Sequence, residues 1–403
     1  MAKTITIIGG GAAGFFAAIR AAECHPDAEI TILERGRDVL QKVKISGGGR
    51  CNVTHACFDP RELVKFYPRG QKELRGPFTR FACGDTMGWF EDRGVTLKIE
   101  EDGRVFPVSN SSQTIIDCLW QEVHKAGIRV LTHTRVHDFF PNDQNPNSWK
   151  IITEEKEITS DMLFVMTGSN PRVWQILEKL GHTIVPPVPS LFTFNIKDDR
   201  IRELPGVSLP KVSIHLPELK LRTEGPLLIT HWGMSGPAIL KLSAWGAREM
   251  HDCKYRFRIL INWTMQGEEE IKESIENARR DKGKRMVVNE NIADIPNRLW
   301  QQLVKAAGIS TEQRWIEIGK KPINRLIQQL TAAEFQVNGK STFKEEFVTA
   351  GGVDLREVNF KTFESRLFPG LFFAGEVLNI DAVTGGFNFQ AAWTGGWIAG
   401  GVF

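Results

Sequence analysis

The 403-residue sequence predicts an α/β fold: a doubly wound, Rossmann-like nucleotide domain split by an inserted β-barrel-like region and a small helical region. Three observations carry that prediction. The chain opens with strand, glycine turn, helix and strand in the order of a dinucleotide-binding unit. Its middle changes to short strands and then to amphipathic helices. Its end returns to an apolar strand and glycines, and a six-stranded nucleotide sheet needs that last strand for completion.

In the opening unit, Thr4-Ile5-Thr6-Ile7-Ile8 reads as a buried strand running into Gly9-Gly10-Gly11-Ala12-Ala13-Gly14. Gly9, Gly11 and Gly14 fill G-x-G-x-x-G: the first allows the tight turn, the second the approach of a pyrophosphate, the third close contact of helix and strand. The helix from Phe15 to about Cys24 aims its first N–H groups at the phosphates. A second strand, Glu29-Ile30-Thr31-Ile32-Leu33, ends at Glu34, whose carboxylate can accept both hydroxyls of an adenosine ribose. A lone G-x-G-x-x-G is a weak signal, but these parts in this order predict an adenine dinucleotide.

The run Ser46-Gly47-Gly48-Gly49-Arg50-Cys51-Asn52 follows directly. Bare glycine backbone lets N–H groups face phosphate oxygens, Arg50 offers a fork of donors, and Asn52 both donates and accepts. An isolated triple glycine is more often a flexible surface turn. Its place after a complete dinucleotide unit makes it a phosphate-side loop.

Composition bounds the rest. Apolar and charged fractions of 41% and 25% are those of a globular protein, and a net charge of +3 requires no polyanionic partner. The cysteines at 24, 51, 57, 83, 118 and 253 show neither C-x-x-C nor zinc spacing, so reduced thiols and no metal site are expected. Glycines interrupt the N-terminal apolar run after about five residues, too short for a secretory signal. No stretch reaches the length of a membrane span, and a soluble, cytoplasmic protein is expected.

Further along, a helix is expected from Ser112 to about Ala126, with strands around Ile128 to Thr132, Arg135 to Phe140, Trp149 to Thr153 and Asp161 to Met166. Thr167 and Gly168 would close that last strand beside the cofactor. Pro186-Pro187-Val188-Pro189 is a stiff segment that cannot be helix. Short strands are expected from Leu191 to about Trp263, with turns at Leu204-Pro205-Gly206, Leu209-Pro210 and Gly225-Pro226, then amphipathic helices from Gln266 to about Leu330. The expected segments are 1–190 (nucleotide domain, first part), 191–265 (barrel-like), 266–338 (helical) and 339–403 (nucleotide domain, second part). Near the end, Leu371-Phe372-Phe373-Ala374 leads into Gly375-Glu376 and then Asp381 to Gln390, where a helix beginning near Gly386 presents its positive end.

With these residues in hand, the chain resembles the bacterial flavoproteins of the glutathione-reductase-like two-dinucleotide class called the BaiN/RdsA or HI0933-like family. The resemblance rests on Ser46 to Thr54, on Gly103-Arg104-Val105-Phe106-Pro107, on Thr230-His231-Trp232-Gly233-Met234-Ser235-Gly236-Pro237 and on Gly375-Glu376 through Gln390, and spans nearly the whole chain. It implies bound FAD in a Rossmann-like domain, with a β-barrel and small helical insert. Cofactor contacts carry over onto Gly9, Gly11, Ala13, Gly14, Glu34, Arg35, Lys44, Ser46, Gly47, Gly49, Arg50, Asn52, Val136, Thr167, Gly168, Gly375, Glu376, Asp381, Gly386, Phe387 and Asn388. The helix near Gly386 would then stabilise negative charge on the pyrimidine side of a reduced flavin. Two positions depart from the family pattern: Asn379 stands where aspartate is common and Ala382 where glycine is.

The family's activities are of several kinds: reduction of steroid-like enones, oxidation of small amines, and reduction of uridine to dihydrouridine in large-subunit ribosomal RNA. The expected function is NAD(P)H-driven hydride transfer from flavin N5 to an electron-poor C=C, possible in rRNA uridine. The alternatives are an O2-using amine oxidase and a non-catalytic flavin-binding protein. No second G-x-G-x-x-G is present, so a nicotinamide donor would bind transiently.

Two residues are candidate proton carriers. Cys51, near Arg50 and backbone donors, could have a lowered pKa, or simply fit the space. His231 could shuttle protons near neutral pH, or bond a backbone carbonyl. Cys57 lies six residues after Cys51, which departs from the C-x4-C of disulfide reductases. Between Arg61 and Phe81, basic residues alternate with Phe66, Tyr67, Phe78 and Phe81, a pattern that could hold phosphates and stack bases. Arg279 to Arg285 and Arg314 to Arg325 add two basic stretches. Each alone is more often a solvated face.

Overall fold

A computed structural model describes residues 3–341 and 348–402; Met1 and Ala2 of the expected first segment, and residues 342–347 and Phe403 of the expected last one, lie outside the described residues. The chain divides into two compact units, Met1–Val188 with Val348–Phe403, and Pro189–Phe347.

The first unit is built on a seven-stranded sheet in the order Val358–Asn359, Glu364–Ser365, Leu371–Phe373, Met162–Val165, Thr4–Ile8, Glu29–Leu33, Arg129–Leu131. The last five strands are mutually parallel, whereas the first two add an antiparallel hairpin at one edge. That hairpin is why the sheet exceeds the expected six strands. Parallel strands are covered on both faces, which accounts for the unbroken burial of Ile5, Ile7, Leu163, Phe164, Leu371 and Phe373. The helix Ala12–Cys24 packs on the C-terminal helix Phe387–Gly400. Small residues permit the close crossing: a Cβ on Gly396 or Gly400 would lie 2.7 Å from Ala13 O or 2.4 Å from Ala17 O.

The stiff proline segment is an extended strand, Ile184–Ser190, which among the described residues pairs with Val348–Val353 alone. A two-stranded ribbon has free edges, where proline's missing N–H leaves no ladder position empty.

The second unit carries a seven-stranded sheet whose pairings are antiparallel, with Ser208–Leu216, Leu221–Thr230 and Arg256–Asn262 at its centre. Leu209-Pro210 and Gly225-Pro226 are not turns: both lie inside long strands, where the register shifts between Leu209 and Val212. A bulge accommodates proline without a ladder bond. The region expected to hold only short strands also contains helices Pro237–Trp245 and Ala247–Asp252. Pro237 sits at the first position of its helix after Gly236, where its fixed φ suits helix initiation. Helices Glu268–Asp281, Asn297–Ala306 and Lys320–Thr331 follow, burying Ile271, Leu299, Leu303 and Leu326 in one apolar core with the sheet.

Candidate functional site

The first turn has two kinds of glycine. A Cβ on Gly9 would meet Met166 O at 2.4 Å and one on Gly14 would meet Gly9 O at 2.0 Å, so both are demanded by packing. A Cβ on Gly11 would meet nothing within 4 Å. Gly11 is the N-cap of its helix and no side chain caps it, so the first-turn N–H groups face that open space. Such a helix start is a ready anion site.

Glu34 ends the second strand as expected, and the backbone holds its carboxylate. Gly10 N–H donates to Oε2 at 2.9 Å and Gly36 N–H to Oε1 at 2.8 Å. Each carboxylate oxygen keeps a further lone pair for a hydroxyl donor. Beside it lies an open cleft lined by Gly9, Glu34, Arg35, Val136, Thr167 and Arg172 among others. Five residues drawn from distant parts of the sequence reading thus share one cleft.

The Ser46 to Asn52 run ends a helical stretch, Gln41–Gly49, by reversing its backbone: Gly47, Gly48 and Gly49 have φ of 59°, 69° and 83°. Gly47 rests against the Phe106 ring, which a Cβ would meet at 2.9 Å, whereas Gly48 and Gly49 have nothing within 4 Å. Phe106 therefore supports the loop from below while two bare peptide units face outward. Arg50 does not reach outward: Nη1 bonds Glu100 at 2.6 Å and the guanidinium lies 3.9 Å over the Phe106 ring. Lys44 is exposed, and Lys42 rather than Lys44 pairs with Glu376.

From Asn52 onward the loop is fastened to the C-terminal helix. The Asn52 amide donates to Thr54 O (2.9 Å) and accepts from Gly386 N–H (3.0 Å). Thr54 Oγ1 donates to Gln390 at 2.5 Å, Trp393 Nε1 donates to Val53 O at 2.9 Å, and His55 Nδ1 lies 3.2 Å from Gly385 O. Asn388 closes its own turn through both amide atoms to Ala382, and buried Asp381 forms a two-pronged ion pair with Arg69. These side chains hold the turn in place. What the turn leaves open is the helix start at Phe387, whose N-cap Gly386 supplies no side-chain bond. His55 was missed by sequence reading; its half-buried ring packs against Phe387 at 4.5 Å, and burial holds its pKa below the ordinary value, against the opposing effect of its bond to Gly385 O.

Cys51 corrects an expectation. It is fully buried, and burial pushes its thiol up to about 12, against a weaker pull from Ser46, so it is a protonated thiol and not an activated thiolate. Its φ of 61° belongs to the loop reversal. His231 lies in the second unit, exposed at the turn between Leu221–Thr230 and Gly233–Ser235. The glycines of its motif serve packing: a Cβ on Gly233 would meet Phe194 O at 2.2 Å.

The Arg61 to Phe81 pattern is also corrected. Tyr67, Phe78 and Phe81 are buried, with Tyr67 Oη donating to Phe387 O at 2.6 Å, and Phe66 stacks on Phe387 at 4.2 Å. Apart from the half-buried Phe66, these aromatics build the floor under the C-terminal turn and offer no face to a base.

A further polar group in the first unit has the geometry of a triad. His182 Nδ1 lies 2.9 Å from Glu357 Oε2 and its Nε2 3.2 Å from Ser365 Oγ. Ser365 Oγ also accepts from Leu367 N–H (3.0 Å) and Phe368 N–H (3.1 Å), and Ser365 is buried. Its own proton must go to Nε2, which places the imidazole proton on Nδ1. With its lone pairs occupied, Ser365 is no nucleophile.

The parallel sheet, the open glycine turn and the acid after the second strand define a Rossmann-type dinucleotide protein, and the comparisons with known proteins agree. Residues 3–402 match the HI0933-like protein Rossmann domain, and the chain belongs to that family. It is similar to a ribosomal RNA dihydrouridine synthase of Haemophilus influenzae, 29% identical over 96% of this chain and 95% of the relative. It is also similar to a 3-dehydro-bile acid delta(4,6)-reductase of Clostridium scindens, 26% identical over 98% of both. Among solved structures, a 3-ketosteroid-delta4-(5alpha)-dehydrogenase of Rhodococcus jostii RHA1 shares the fold, with a TM-score of 0.50 at 13% identity over 99% of this chain and 97% of that one. The chain is an FAD-dependent oxidoreductase of this family. No described helix is long and apolar enough to cross a membrane.

Proposed function

We propose that the protein is a reductase that adds hydride and a proton across a C=C conjugated to a carbonyl, and that its substrate is uridine within ribosomal RNA. The observation that carries this reading is near-full-length likeness to relatives named for two such products or reactions, a dihydrouridine and a bile-acid reduction. The glycines with open space before them, Gly11, Gly48 and Gly49, fit FAD. Bound FAD would supply hydride transfer from a transiently bound nicotinamide to the double bond.

The residues of the chain divide the remaining work. Gly11, Ala13 and Gly14 would present helix N–H groups to the pyrophosphate, and Glu34 its free lone pairs to the adenosine ribose. Arg35, Val136 and Thr167 would border the adenine side, with Gly168 and Gly375 beside them in the turns that follow their strands. Ser46, Gly47 and Gly49 shape the loop, and the helix start at Phe387 favours negative charge developing near it. Of the two candidate proton carriers, exposed His231 is the one open to solvent; buried Cys51 fills space.

Anaerobic mixing with NADPH or NADH, followed by air, tests the reductase: rapid bleaching of the flavin and slow re-oxidation are expected, and no bleaching by a nicotinamide, with peroxide formed from amines in air, would sink the reading. Mapping dihydrouridine in ribosomal RNA of a deletion strain tests the substrate, for which loss at one position is expected. Unchanged levels would leave the second reading, a small enone, which the bile-acid reductase favours. Cys51→Ala is expected to change turnover less than about threefold, and a drop of roughly a hundredfold or more would return the thiol to the chemistry.

A further inference from the structure

The two basic stretches beyond the sheet of the second unit are separate in sequence and adjacent in space. Val287 N–H donates to Gln313 O (3.0 Å), Trp315 N–H to Arg285 O (3.1 Å) and Ile316 N–H to Gly283 O (3.0 Å), with Met286 and Arg314 as bridge partners. Extended Met286 and Arg314 face each other, and each leads into a short 3-10 turn, Val287–Asn289 and Trp315–Glu317. Val287 and Trp315 are fully buried, and Trp300 Nε1 bonds Val287 O at 3.0 Å, which anchors the ledge. Met286 and Ile316 point outward, 41% and 63% exposed.

The cations around them fall into two groups. Glu290 takes both Lys282 and Arg285 at 2.8 Å, and Arg280 turns to Asp281 at 2.9 Å. Exposed Lys284 and Arg314 have no carboxylate within ion-pair distance among the described residues. Two unpaired cations thus flank two exposed apolar side chains on a rigid support. Apolar side chains set between cations offer packing surface to a sugar or base face, and unpaired Lys and Arg supply phosphate affinity.

We propose that this ledge docks the phosphodiester backbone of an RNA strand, with Lys284 and Arg314 on phosphates and Met286 and Ile316 against the sugar and base faces between them. The proposal rests on the ribosomal RNA reading above. The ledge supplies orientation and affinity rather than sequence choice, since backbone contacts carry no base information. It takes over the role that the Arg61 to Phe81 segment cannot fill with its buried aromatics.

The test uses the FAD-loaded protein and a fluorescein-labelled RNA hairpin, read by anisotropy across a salt series. Replacing Lys284→Ala and Arg314→Ala together is expected to weaken binding about tenfold and to lower the slope of log affinity against log salt by roughly one to two. Flavin content and bleaching by NADPH stay unchanged in that variant, and the exchanged pair Lys284→Arg with Arg314→Lys keeps wild-type binding. Equal affinity and slope in the alanine variant would overturn the ledge, as would equally tight binding of labelled polyglutamate, which would assign the surface to an acidic polypeptide. Dihydrouridine formation on protein-free ribosomal RNA separates the two claims. If the wild type forms it and the alanine variant binds RNA normally, the ledge alone is wrong; if the wild type forms none, the substrate reading falls and takes the ledge with it.

Discussion

Two regions of the first unit, a glycine-lined surface and a knot of polar side chains, differ in what they leave open. The nucleotide-facing surface gathers Gly11, Gly48 and Gly49, where a Cβ would meet nothing within 4 Å, and the helix start at Phe387, whose N-cap brings no side-chain bond. The knot of Ser365, His182 and Glu357 has the outline of a hydrolase triad, but its serine is fully engaged: Ser365 Oγ lies between His182 Nε2 and the N–H groups of Leu367 and Phe368, and Glu357 also accepts from Thr183 N–H at 3.0 Å. Residue types alone would rank the second region as the catalytic one. Open space before helix starts that no side chain caps ranks the first, since a ligand can only bind groups the fold has not already used.

The largest effect is expected where the open surface meets the frame that carries it. Gly386→Ala puts a Cβ 2.6 Å from Thr54 O and 2.9 Å from the Asn52 side-chain amide at a φ of 91°. Backbone cannot yield there, so a loss of roughly 3 kcal/mol or more and little flavin-loaded protein are expected, read by thermal melting and the visible spectrum. Next is Asp381→Asn, which leaves the Arg69 guanidinium, 14% exposed, without its counter-ion. Removing one partner of a mostly buried pair costs about 3 kcal/mol, and the double variant Asp381→Asn with Arg69→Met should recover part of it. Recovery of nothing would mean that the pair does not hold the turn.

Gly11→Ala separates surface from frame. Its φ of −94° suits any residue and its Cβ would meet nothing, so melting of the FAD-free protein should shift by less than about 0.5 kcal/mol. Flavin affinity should nevertheless fall roughly tenfold or more, about 1.4 kcal/mol, because the added methyl occupies the approach to the helix start. Equal FAD affinity in titration would show that the pyrophosphate does not pass Gly11.

How far the sequence revealed this follows the range of the signals. Thr4–Ile8 and Glu29–Leu33 were legible to the residue, because a buried parallel strand is a continuous apolar run bounded by glycine or acid. The helix Ser112–Lys125 was legible within a residue of its end, through its apolar period. Helices Pro237–Trp245 and Ala247–Asp252 were hidden among strands, since short apolar runs do not distinguish the two states. At the site, the glycines and Glu34 could be read because they act through local backbone. The depth of Cys51, the partners of Arg50 and Asp381, and the burial of Tyr67 and Phe78 arise from contacts across the fold, and no local pattern reports them. His182 and Ser365 are 183 positions apart, which places their meeting beyond any spacing rule.

The smallest effect belongs to that knot, and its sign tests the claim that the knot is closed. Burial holds the His182 pKa below the ordinary 6.5, against the pull of Glu357, so the folded protein favours the neutral ring. Neutral Nε2 accepts the Ser365 proton; a protonated ring would set N–H against O–H, two donors facing each other. Because the unfolded chain binds the proton more readily, stability contributed by His182 is present above pH 6.5 and lost as pH falls below it toward the lowered folded value. Glu357 also titrates low in the fold, although burial opposes this, because Thr183 and His182 bond its charged form; its loss begins only below the ordinary 4.5. Between about pH 7 and pH 5 His182 shares the decline in stability with His55 and His25, whose pKa values burial also lowers, so its own part is read as the difference in slope between the protein and a His182 variant. His182→Gln should be less stable at neutral pH and flatter across that interval. An equally steep decline in the variant would mean that another group titrates there and that the ring is not locked between Ser365 and Glu357.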